Sequence, residues 1–128
     1  MAPPRSAVER RRANRVGRRA EWIAAVLLTV KGYRILVRGF TVVGGEIDLV
    51  VRRGSTVAFV EVKARPGREA ALLAVTETKR RRISRAAAVW LTRNPWAATL
   101  VHRGDAVLVV PGHWPRHVAD AFPVTIGW

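Results

Sequence analysis

The chain has 128 residues and carries 23 Lys and Arg against nine Asp and Glu, a formal charge of +14, with no cysteine. That length suits one domain, and the lack of cysteine excludes disulfides and thiolate metal sites. A hydrophobic fraction of 49% excludes wholesale disorder. The excess of positive charge points to a polyanionic partner, nucleic acid first and an anionic membrane surface second.

Residues 1–13 read as a flexible basic arm, since Pro3-Pro4 resists a helix interior and Arg10-Arg11-Arg12 repel one another. Residues 14–128 are expected to form one domain. Asn14 to Lys31 is predicted as the first helix, with Ile23, Val26, Leu27 and Val30 as its apolar stripe and Gly32 as its stop. No small-residue cleavage pattern follows the apolar run, and the run is shorter than the ~20 residues that span a bilayer. A cytoplasmic protein with no membrane partner is therefore expected. Tyr33 to Phe40 alternates as a strand, and Gly44-Gly45 permits a tight entry into the next element.

Glu46 to Arg53 and Thr56 to Ala64 are two apolar-rich strand runs separated by Gly54-Ser55, a pair suited to a type II′ hairpin turn. That turn pairs Arg53 with Thr56, which sets Asp48 opposite Glu61 and Glu46 opposite Lys63. Alternation turns Ile47, Leu49 and Val51 to one side and gathers Glu46, Asp48, Glu61 and Lys63 on the other. Carboxylates held about 4.5–5.5 Å apart at Cβ repel unless a cation or a proton lies between them. Asp and Glu oxygens suit Mg²⁺, which takes one or two carboxylates and completes its shell with waters and phosphate oxygens. A lysine on the same face can reach the same phosphate or an attacking water. The competing account is a solvated hairpin face of mixed charge.

Downstream, Pro66-Gly67 ends the second hairpin strand. Thr76 is the expected N-cap of a helix that runs to about Thr92 and stops at Asn94-Pro95, with Ile83, Ala86, Ala87, Trp90 and Leu91 as its core stripe. Lys79, Arg80, Arg81, Arg82 and Arg85 form a basic sector whose mutual repulsion a polyanion would relieve. Ala106 to Val110 reads as a buried strand, with Arg103 and Asp105 before it as a local ion pair. His113 and His117 have helical ligand spacing, but Pro115 lies between them and no third ligand is near, so no zinc site is expected.

The string GEIDLV followed by FVEVKAR resembles the YraN-like family, whose members are read as endonucleases from their motifs. That family is distantly similar to archaeal Holliday junction resolvases and to restriction-endonuclease-like folds. The resemblance runs from about Gly17 to Phe122. It implies an α/β (α+β) domain with a restriction-endonuclease-like core, a mixed central sheet flanked by helices. It also implies a catalytic set of Asp48, Glu61 and Lys63, with Asp48 and Glu61 holding Mg²⁺ or Mn²⁺. Glu21, matching a first-helix glutamate of the family, is implied as a supporting metal residue, although Ala20 stands where the family has glycine. Arg38, Arg65, Lys79, Arg80 and Arg82 are the implied nucleic-acid contacts. Gly104 stands where the family has an aromatic, so the local packing is expected to differ there.

The expected function is a metal-dependent endonuclease that hydrolyses phosphodiester bonds in DNA, branched or junction DNA included. The alternative is a non-catalytic nucleic-acid-binding protein that keeps the fold. Resemblance to resolvases also allows a homodimer.

Overall fold

The computed structural model describes residues 7–64 and 75–126, with side chains from Gly17 onward. Helix α1 spans Ala7–Val30, so it begins upstream of Asn14 and takes in part of the segment expected as an arm. Strands β1 (Arg34–Val42), β2 (Gly45–Arg53) and β3 (Thr56–Lys63) follow. Next come helix α2 (Glu77–Arg93), a short 3₁₀ turn Pro95–Ala97, β4 (Val101–Leu108) and β5 (Arg116–Phe122). The strands form one sheet in the order β1-β2-β3-β4-β5. β4 runs parallel to β3 after the α2 crossover, and the other pairings are antiparallel. This is a mixed five-stranded α+β fold of the kind expected, in agreement with a restriction-endonuclease-like core. The residue pattern marks no strand at β5, and β4 begins five residues before the Ala106 start that the pattern predicts.

The central hairpin forms as the turn chemistry requires. Arg53 pairs with Thr56 and Leu49 with Val60. Gly54 has φ +60° while Ser55 is not in the left-handed region, as a type II′ turn demands. At the other end of β2, a side chain on Gly45 would lie 2.5 Å from the Arg82 carbonyl oxygen and 2.9 Å from the Ala86 nitrogen. Glycine there lets β2 start directly against the backbone of α2.

Two apolar layers sandwich the sheet. On one side Ile83, Ala86, Ala87, Trp90 and Leu91 of α2 pack on Val50, Val57, Phe59 and Ile47, the stripe that the periodicity predicts. Thr76 caps this helix by accepting from the Lys79 backbone N–H. Ile47 lies in this layer and not with Leu49 and Val51, a departure from alternation that falls where β2 parts from β3. On the other side Ala24, Ala25 and Leu28 of α1 cover Leu49, Val51, Ala58 and Val60. Here the expected stripe is displaced: Val26 and Val30 are exposed, as is Trp22. Alanines at 20, 24 and 25 bring the helix close to the sheet, which bulkier side chains would hold off.

Gly104 has a packing role of its own. Opposite it across the sheet is Phe122, whose ring would meet a Cβ on Gly104 at 2.6 Å. The Phe122 ring of β5 thus occupies the space over Gly104 in β4.

Candidate functional site

Beyond the Leu49–Val60 pair the β2–β3 ladder stops, although both strands continue. β3 stays paired with β4 through Lys63–Leu108, while β2 stays paired with β1 through Gly45–Val42. The two strands are thus drawn apart by their outer neighbours. In the gap, Oδ2 of Asp48 accepts the Val62 backbone N–H at 2.8 Å. A carboxylate thereby takes the place of a ladder carbonyl and is fixed in orientation. The expected Asp48–Glu61 and Glu46–Lys63 ladder pairs do not form, but the Asp48 and Glu61 carboxyl groups still lie close enough for each to bear on the ionisation of the other.

Both helices send a charged side chain to this place. Glu21 lies on the inward face of α1, one turn before Ala24 and Ala25 and two before Leu28, and its carboxyl is close enough to Asp48 to be raised by it. Lys79 lies one turn before Ile83 on the inward face of α2. Its Nζ is 3.2 Å from Oε1 of Glu61 and 3.6 Å from Oε1 of Glu46. Glu61 is 5% exposed. Burial, then the neighbouring Asp48 carboxylate, push its carboxyl up to about 7, with Lys79 opposing. Burial is also the main cause that raises Asp48, against the Val62 N–H, and it raises Glu21 together with the nearby Asp48. Burial alone would lower Lys79, but Glu61, Asp48 and Glu46 hold its ammonium above the ordinary lysine range.

Carboxyl groups that lie near one another and resist ionisation form an environment short of positive charge. That donor set fits a hard divalent cation such as Mg²⁺ or Mn²⁺ with Asp48 and Glu61 as its oxygen ligands. Among the described residues no group of three or more His, Asp or Glu forms a ready cage. The fit is thus to a site of one or two carboxylates, left open to water and phosphate oxygens.

The other expected residues are distributed unevenly. The Lys63 ammonium makes no ion pair among the described residues; β3 alternation puts Lys63 on the side of Glu61, and its carbonyl accepts from Val109 at 2.8 Å. Lys79, expected only as a phosphate contact, is the lysine that touches the carboxylates. The signal was in the sequence: Lys79 sits four before Ile83, and Glu21 three before Ala24 and four before Ala25, so each extends a buried stripe. Arg38 is exposed, favours ionisation of Glu21, and borders a groove of about 360 Å³ beside Trp22. Arg80 is held by Glu77, with Nε 3.0 Å from Oε2, and so is committed within its own helix. Arg82 is exposed on the basic face of α2. Arg85 ties the β1–β2 turn to α2 by donating from Nε to the Val43 carbonyl at 2.6 Å. Arg65 and the connection that follows it, residues 65–74, lie outside the described residues.

A second polar cluster, centred on β4 and β5, is structural. Asp105 is fully buried. It accepts two bonds from Arg103 at 2.8 Å, one from His117 Nε2 at 2.7 Å and one from the Asp120 N–H at 3.0 Å. Burial would raise its carboxyl, but His117, Arg103 and Asp120 hold it at about 2. Arg103 also donates to the Tyr33 hydroxyl at 2.6 Å, and Lys31 donates to Nδ1 of His117. The expected Arg103–Asp105 pair is present but is half of a network that joins β4, β5 and the end of α1. His113 is exposed and does not join it.

With this geometry in place, the comparisons are informative. A profile of "Uncharacterised protein family UPF0102" matches residues 20–109. The chain belongs to this family. A UPF0102 protein of Methylocella silvestris is 54% identical over 123 residues, 96% of this chain and 99% of its own length. One from Methylobacterium nodulans is 56% identical over 117 residues, 91% of each chain. UPF0102 is the YraN-like family that GEIDLV…FVEVKAR resembles, and its matched region holds Glu21, Asp48, Glu61, Lys63 and Lys79.

Proposed function

We propose that this UPF0102 protein is a Mg²⁺- or Mn²⁺-dependent cytoplasmic endonuclease that hydrolyses phosphodiester bonds in DNA, with branched DNA the first substrate to test. One observation carries the reading: where β2 and β3 part, Asp48 is anchored on the Val62 N–H beside Glu61, and Lys79 reaches Glu61 from α2. Among the described residues no helix is long and apolar enough to cross a membrane.

In this reading Asp48 and Glu61 hold the metal. When bound, the ion polarises the phosphate and lowers the pKa of a coordinated water. Asp48 is oriented for this by its bond from the Val62 N–H. Glu21 braces Asp48 from α1 and orders water at the site. Lys63 orients the attacking water and offsets the charge that builds on the pentavalent phosphate. Arg38, Arg82 and, from outside the described residues, Arg65 bind backbone phosphates, which position the substrate without reading its sequence.

One feature favours a second reading. Lys79 already offsets part of the charge of Glu61 and Glu46, as it would in a binding module that uses no metal. The decisive experiment incubates labelled duplex, flap, single-stranded and four-way-junction DNA with wild type and Asp48→Asn, each with Mg²⁺, Mn²⁺ or chelator. Metal-dependent cutting by wild type, lost in Asp48→Asn, is the expected result. Binding by a folded wild type with no cutting under any condition would move the assignment to the non-catalytic module.

A further inference from the structure

At the far end of the β2–β3 hairpin, by the Gly54 turn, lies an open cleft of about 710 Å³ whose walls include Arg34, Arg52, Arg53 and Trp96. No carboxylate lines it. Arg34 and Arg52 are direct cross-strand partners on β1 and β2, a like-charge juxtaposition that destabilises a sheet unless something offsets it. No described acidic residue pairs with Arg34, Arg52 or Arg53. Two of the three are nonetheless held in place. The Arg52 guanidinium lies 5.0 Å from the Trp96 ring centre and donates from Nε to the Gly54 carbonyl at 2.9 Å. The Arg53 guanidinium lies 4.5 Å from the Tyr33 ring and donates to the Lys31 carbonyl at 3.2 Å. These contacts use the ring faces and a few N–H groups, and they leave other guanidinium N–H groups for an anion. Trp96 is 48% exposed at the rim.

We propose that this cleft is a second phosphate site, which holds the nucleic-acid backbone at a distance from the carboxylate centre. Ordered arginines lose little freedom when an anion arrives, so the cleft is pre-organised for binding. Four residues of β2 separate Asp48 from Arg52, about 13 Å at ~3.3 Å per residue. That span is within the reach of a strand that carries one phosphate per ~3.4 Å of duplex axis. A substrate with one phosphate at the carboxylates therefore places another near Arg34 and Arg52. The inference rests on the nuclease reading only for where the substrate's other phosphate lies; the cleft's affinity for a phosphodiester is independent of cleavage.

The test is a linkage scan under metal-free conditions. Neutral methylphosphonate linkages are placed one at a time along a labelled duplex, and binding is measured for wild type and Arg34→Gln/Arg52→Gln by fluorescence anisotropy. One linkage should weaken wild-type binding several-fold or more and leave the double variant unaffected. The double variant should also lower the salt slope by about one per arginine. Equal sensitivity of both proteins at every linkage would overturn the cleft assignment. So would inorganic phosphate or a mononucleotide that displaced the duplex from Arg34 and Arg52 at comparable concentration, since the site would then serve a small ligand. A protein that cuts DNA but shows no coupled linkage loses the cleft alone. One that shows the coupled linkage but never cuts keeps the cleft and loses the enzyme.

Discussion

Replacing Glu61 by Gln should stabilise the metal-free protein at alkaline pH. Burial and the Asp48 carboxylate hold the Glu61 carboxyl up to about 7, against an ordinary value of 4.5. The folded protein therefore binds this proton more tightly than the unfolded chain does. The associated stability is fully present below about pH 4.5 and is lost as pH rises through about 7. With that displacement, ionising Glu61 costs the fold about 3 kcal/mol. That is a large share of the roughly 5–15 kcal/mol that holds a domain together. Gln keeps the shape and an oxygen for Lys79 but cannot ionise. Urea unfolding followed by tryptophan fluorescence, with chelator present, should find Glu61→Gln more stable than wild type by about 2–3 kcal/mol at pH 8.5. The two curves should converge below about pH 4.5, where wild-type Glu61 is protonated in both states. Excess Mn²⁺ should narrow the gap at pH 8.5 by stabilising wild type alone. If Glu61→Gln is no more stable, or less stable, at pH 8.5, then Lys79 fully compensates the buried carboxylate. The argument that the cluster is short of positive charge would then fail.

Lys79→Met should have the opposite effect, because it strips Glu61 of its ammonium. A loss of about 2 kcal/mol is expected at pH 8.5, below the ~3–5 kcal/mol of a fully buried pair because Lys79 is partly exposed. Excess Mn²⁺ should recover much of it, and an unchanged unfolding curve would sink the assigned contact. Asp105 sets the acid limit. A carboxyl held at about 2 contributes stability that is present above about pH 4 and lost as pH falls through about 2, worth about 2 kcal/mol. Asp105→Asn should remove that pH dependence and lower stability at pH 7, and an acid profile identical to that of wild type would contradict the network.

Several features of this molecule were decided locally and could be read from the residues. Gly54-Ser55 sets the hairpin register through its own backbone preferences, and the Arg53–Thr56 and Leu49–Val60 pairs follow. Thr76, Ile83, Ala86, Ala87, Trp90 and Leu91 define α2 because capping and helical period are properties of one short segment. Membership of the family was legible too, because it is carried by a short motif string.

Long-range packing decided the rest. Alternation within two strands cannot say that they part after Leu49 and Val60, because β1 and β4 pull them apart from outside the hairpin. Residue size favoured Val26 and Val30 as the buried face of α1, whereas close approach to the sheet selected Ala20, Ala24 and Leu28. Lys79 looked like one charge of a basic sector, and only the distance between α2 and the sheet sets its ammonium against Glu61 and Glu46. Arg34 and Arg52, and likewise Asp105 and His117, are far apart in the chain and become neighbours only once the sheet is assembled. Turn chemistry and periodicity act over a few residues, whereas the site and its surrounding charges depend on contacts between elements, which the sequence specifies only through the whole fold.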